Sequence, residues 1–94
     1  MAEKEQDEKA MASAKKKTTE LKVQLNLTVD QQKSVLDILY VSFRDLKQVK
    51  AQEDLSMEQK ITRYDQINKT ARTDLQKVLT SSQYQKFLSP ERGR

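Results

Sequence analysis

A chain of 94 residues, 35% hydrophobic and 34% charged, with one Gly and one Pro, forms one small domain able to bury only about 60–65% of its extended-chain surface. With no cysteine and no histidine it has no disulfide, no thiol nucleophile, no imidazole base and no His/Cys metal site. The formal charge of +4 permits weak attraction to nucleic acid, anionic membrane or acidic protein, but the cations are spread along the chain rather than concentrated.

No apolar run approaches the roughly 20 residues that a membrane-spanning helix needs. The start, Met1-Ala2-Glu3-Lys4-Glu5-Gln6-Asp7-Glu8, lacks the basic opening and apolar centre of a signal peptide. Residues 1–9 are polar and are expected to form a disordered tail. From Ala10 onward, Ala10, Met11, Ala14, Thr18, Leu21 and Leu25 share one side of a helical wheel. This stripe predicts a first helix over 10–25, docked mainly through Leu21 and Leu25. Lys15, Lys16 and Lys17 are consecutive and therefore point around that helix instead of making one patch.

Leu27-Thr28-Val29-Asp30-Gln31 then marks a helix start. The Thr28 hydroxyl can accept from the amide three residues on, and the Gln31 side chain can return to the Thr28 backbone, which is a capping box. The helix that follows, predicted over 29–53, has two apolar stripes. Val35, Ile38, Leu39, Ser42, Leu46 and Val49 form the first; Val29, Leu36, Tyr40 and Phe43 form the second and widen the apolar face to about half the circumference. A plain two-helix hairpin does not need that width. The second stripe covers another helix of the chain, a second subunit or a ligand.

A short bend at Glu53-Asp54-Leu55 leads to a second start at Ser56, with Gln59 three residues on, and implies antiparallel neighbours. The third helix, predicted over 57–77, carries a narrower stripe of Met57, Ile61, Tyr64, Ile67, Asn68, Ala71, Leu75 and Val78. Its opposite face is charged, with Asp65 and Lys69 spaced for a surface ion pair. The third start, Leu79-Thr80-Ser81-Ser82-Gln83, opens a short helix over 81–88 bearing Tyr84, Phe87 and Leu88, with Leu79 placed to staple onto Tyr84. At the other two starts Gln32 and Lys60 take the staple position, so Leu27 and Leu55 need tertiary partners. Ser89-Pro90 stops the last helix, and 89–94 reads as a flexible tail. The expected fold is all-α: an elongated antiparallel helical hairpin with a short fourth helix, one domain over 10–88.

The structural motif is therefore Leu27, Thr28 and Gln31, repeated as Leu79, Thr80 and Gln83, with a looser copy at Leu55, Ser56 and Gln59. Through its two Leu-Thr-x-x-Gln segments the chain resembles the LTXXQ-motif family of small periplasmic proteins, the Spy/CpxP-like group, over about residues 20–88. The resemblance implies a secreted, processed helical protein of the Gram-negative periplasm that pairs into a thin antiparallel homodimer. It implies a concave surface, basic with apolar patches, that receives unfolded or partly folded proteins without ATP. The chain departs from the family in its shorter length, in the absence of histidine and in the absence of a visible export signal.

The resemblance thus implies an ATP-independent periplasmic chaperone-like protein that limits the aggregation of its clients. The alternative is a non-enzymatic helical adaptor or envelope-stress regulator with one specific protein partner. Candidate client or dimer contacts are the apolar Leu36, Tyr40 and Phe43 and the basic Arg44, Lys47, Lys50, Arg63 and Arg72. The apolar set equally suits a core, and the basic set equally suits a solvated surface shared with Asp37, Asp45, Asp65 and Asp74. No residue pattern marks a catalytic, cofactor or metal site. Nucleic acid is disfavoured as a partner because no helix combines clustered cations with base-reading Asn or Gln.

Overall fold

The computed structural model describes the backbone of residues 2–88 and the side chains of residues 7–88; the segment 89–94, read from sequence as a tail, lies outside the described residues. Four helices follow one another: α1 (Ala2–Leu25), α2 (Val29–Ala51), α3 (Met57–Val78) and α4 (Ser81–Leu88). They form an all-α bundle elongated to 41 × 27 × 27 Å.

The predicted starts of α2, α3 and α4 coincide with the observed ones, because each is fixed by a local cap. Thr28 and Ser56 have extended backbones and each accepts, through its hydroxyl, the amide of the Gln three residues on, at 3.1 Å in both cases. Thr80 does the same for the Gln83 amide at 3.1 Å. Two predicted bounds need correction. α1 already begins at Ala2, because Ala, Glu, Lys and Gln are strong helix formers and an existing helix propagates cheaply into such a segment. α2 stops at Ala51, where Gln52 turns to an extended backbone and its amide bonds back to Val49 O at 3.1 Å.

The α1–α2 turn is closed by Asn26, the one non-glycine residue with positive φ among those described, at 58°. The Leu27 amide donates to Lys22 O at 3.2 Å, which with left-handed Asn26 makes a Schellman ending. Leu27 and Leu21 then fall into the same buried cluster, the hydrophobic contact that accompanies this ending.

α2 lies in the middle of the bundle. It packs against both α1 and α3, and α4 touches α1 and α3; among the described residues no Cα of α1 comes within 8 Å of a Cα of α3. α1 docks along more of its length than Leu21 and Leu25 alone, since Ala10 and Ala14 are also fully buried. The buried hydroxyls in this layer bond within their own helices, Thr18 to Ala14 O at 2.7 Å and Ser42 to Leu39 O at 3.1 Å, so they need no water.

The principal core sits toward the α1–α2 turn, where Leu21, Leu25, Leu27, Val35, Leu39, Leu75 and Leu79 join Ala14 in one cluster, with Tyr84 and Phe87 of α4 packed against it. Leu27 finds its tertiary partners there, while Leu55 is only half-buried. At the opposite end α1 and α3 are not bridged. The stripe of α3 records this: Leu75 is 1% exposed, Tyr64 half-buried, Ile61 50% exposed and Met57 69% exposed. One helical face thus passes from core to solvent. The expected Asp65–Lys69 ion pair does not form; the ion pairs among the described residues are Lys17–Glu20 at 3.8 Å and Arg44–Asp45 at 3.3 Å. Two exposed side chains gain too little from pairing in water to be held together.

Candidate functional site

The duplicated motif is a structural clamp. Each Gln side chain accepts its own cap amide through Oε1, Thr28 N–H to Gln31 at 3.0 Å and Thr80 N–H to Gln83 at 2.9 Å. Each then donates across the bundle: Gln31 Nε2 to Val78 O at 3.2 Å, and Gln83 Nε2 to Leu25 O at 3.0 Å. The two amides also bond each other, at 2.8 Å and 3.2 Å. The start of α2 thereby caps the end of α3, and the start of α4 caps the end of α1. Gln59 has the same local box, Ser56 N–H to Gln59 Oε1 at 2.8 Å, but it is exposed and bonds nothing beyond it among the described residues. Thr28, Gln31, Thr80 and Gln83 are thus occupied in holding the helices.

The surface suited to binding lies at the open end. Phe43, Leu46, Lys47 and Lys50 of α2, Tyr64 and Asn68 of α3 and Ser13 of α1 line a groove of about 520 Å³. Its floor and wall are apolar and aromatic and its α2 rim carries two ammonium groups. Phe43, Leu46, Lys47 and Tyr64 are half-buried and Lys50 is exposed, so the rings are held by packing while one face stays reachable. Ile61 and Met57 continue the Tyr64 stripe by one and two helical turns, which prolongs the apolar wall past the groove.

The predicted contact residues divide. Phe43, Lys47 and Lys50 come together in this groove. Leu36 lines a separate hollow against α1 with Lys15, Val29 and Lys33. Leu36, Tyr40 and Phe43 all pack partly against the core cluster, so the second α2 stripe covers core and also presents an edge. Arg44 stacks over the Tyr40 ring at 5.7 Å and bonds Asp45 at 3.3 Å. That hydrogen bond to the carboxylate raises its pKa against the opposing effect of desolvation. Arg63 lies in a hollow on the far side of α2 with Asp45 and Gln48, and Arg72 is exposed on α3, so neither joins the groove.

Tyr64 and Asn68 are not among the contact residues expected from sequence. Their spacing in the α3 stripe was visible, but whether that stripe is covered depends on the separation of α1 from α3. Among the described residues no group of three His, Cys, Asp or Glu could hold a metal ion, and no helix is long and apolar enough to cross a membrane. No family model, no curated protein and no solved structure matches the chain.

Proposed function

We propose that this chain is a non-enzymatic, ATP-independent chaperone-like protein that binds unfolded or partly folded polypeptide in the cleft between α1 and α3. The observation that carries this reading is the cleft itself: Phe43, Leu46 and Tyr64 beneath Lys47 and Lys50, continued by exposed Ile61 and Met57. Ammonium groups raise the rate of encounter with acidic chains, and a small open apolar surface holds exposed hydrophobic segments weakly enough to release them. Release needs no nucleotide, since the contacts are individually weak.

The resemblance to the LTXXQ-motif, Spy/CpxP-like proteins points the same way and adds the Gram-negative periplasm and a homodimer to the proposal. The reciprocal use of Gln31 and Gln83 supports treating the two motifs as one unit.

The test is aggregation of two unrelated unfolding proteins followed by light scattering. The wild type stands beside Phe43→Ser and Lys47→Glu/Lys50→Glu variants whose helicity and oligomeric state are checked. Suppression of both clients by the wild type, weakened in both folded variants, supports the reading. A folded wild type that suppresses neither client overturns it and directs the search to one specific protein partner, the adaptor or envelope-stress regulator that the sequence leaves as the alternative.

A further inference from the structure

α2 sorts its charges by side. At about 3.6 residues per turn, Lys47 and Lys50 lie on the flank that carries Phe43 and Asp30, Asp37 and Asp45 on the flank that carries Val41, with Lys33 and Arg44 on the outward face between them. The second flank meets α3 in a groove of about 350 Å³ that holds Asp37, Ile38, Val41, Asp45, Ile67 and Asp74. Its apolar floor is incompletely covered, since Val41 is 44% exposed. Asp37 and Asp74 have no ion-pair partner among the described residues. Asp45 is paired with Arg44 at 3.3 Å, so in a chain of net charge +4 Asp37 and Asp74 are the carboxylates that this groove leaves for an incoming cation.

We propose that this α2–α3 groove is a second docking surface, distinct from the client cleft, and that it takes a cationic amphipathic helix of another protein. Three physical points select that occupant. A valley between two packed helices is shaped for a third helix, whose ridges of side chains enter it. Asp37 on the α2 side and Asp74 on the α3 side line the same groove as Ile38, Val41 and Ile67, which matches a partner helix that carries cations beside an apolar stripe. A second copy of this chain is disfavoured on this face: a two-fold contact apposes a patch with itself and would bring the carboxylates of one copy against those of the other.

This assignment does not rest on the chaperone reading and is tested separately. The probe is a labelled, amidated amphipathic peptide with Lys at i, i+7 and i+14 and Leu on the adjoining stripe, compared with the same peptide carrying Glu for Lys, by fluorescence anisotropy. The cationic peptide binds the wild type and the anionic one does not bind this groove. Asp37→Lys/Asp74→Lys weakens the cationic peptide roughly tenfold or more, as opposed charges across an interface become like charges. Asp37→Asn/Asp74→Asn, which removes charge without reversing it, weakens it less, and Asp65→Lys, at an exposed carboxylate of α3 that lines neither groove, weakens it less than about twofold; helicity is confirmed for each variant. The assignment is overturned if the cationic peptide fails to bind folded wild type, if the Asp37/Asp74 variants bind it undiminished, or if Asp65→Lys weakens it as much as they do. It is equally overturned if sedimentation shows the groove filled by a second copy that the peptide cannot displace.

Discussion

Gln31 and Gln83 bond each other amide to amide, 2.8 Å from Gln31 Nε2 to Gln83 Oε1 and 3.2 Å in the return direction. Each remains in its own capping box while it donates to the last carbonyls of a helix distant in sequence. Replacing either by Ala removes a cap contact and leaves part-buried carbonyls unpaired, an expected loss of about 2–4 kcal/mol. Gln59→Ala, at an exposed box with no second partner, costs below about 1 kcal/mol. Urea unfolding of the three variants checks the contrast, and a Gln31/Gln83 double-mutant cycle should return a coupling of about 0.5–3 kcal/mol.

Gln31→Glu separates the two roles of that side chain. A carboxylate still accepts the Thr28 amide at the helix N-terminus, where negative charge is favourable, but it cannot donate to Val78 O or to Gln83. The variant should keep its α2 cap and the bond it accepts from Gln83 Nε2 while losing the two that Gln31 donates, with amide exchange rising at the end of α3 and in α4 before it rises in α2. Equal exchange increases throughout would show that the cap and the clamp cannot be separated.

Asn26 holds φ at 58°, a region that Asn tolerates better than most side chains and Gly better still. Asn26→Ala is expected to destabilise by about 1 kcal/mol and Asn26→Gly to be near neutral. Thermal unfolding of the pair tests this, and an alanine variant as stable as wild type would place the turn's stability elsewhere.

Along α3, identical chemistry at two depths should give different costs. Leu75, 1% exposed, is expected to lose about 2–5 kcal/mol on replacement by Ala, through lost burial and the cavity left behind. Ile61, 50% exposed on the same stripe, should lose below about 1 kcal/mol. If Ile61→Ala proved as damaging as Leu75→Ala, the open end of the bundle would be closed in solution.

Helix starts were legible because they are local: Thr28, Ser56 and Thr80 find their partner three residues away, and no tertiary contact is needed to read them. The start of α1 was not, since a run of good helix formers without an apolar stripe can serve as tail or as helix, and its residues show no cap. At the site, Phe43, Lys47 and Lys50 could be named from the wide face of α2, yet Arg44, Arg63 and Arg72 looked just as suitable and the structure sends them elsewhere. Residue type and helical period set which flank of a helix a side chain occupies; they do not say which neighbour that flank meets.

The sequence by itself determined the all-α class, three capped starts, the duplicated Leu-Thr-x-x-Gln and the absence of thiol and imidazole chemistry. Tertiary structure alone decided that Gln31 caps α3 while Gln83 caps α1, that the α3 stripe is buried at Leu75 and open at Met57, and that the two flanks of α2 line separate grooves, one with Lys47 and Lys50 and one with Asp37 and Asp74. The physical reason is the range of the forces. Capping and periodicity act within a turn or two of chain, whereas closure of an apolar face depends on the distance between helices that only the whole packing arrangement sets.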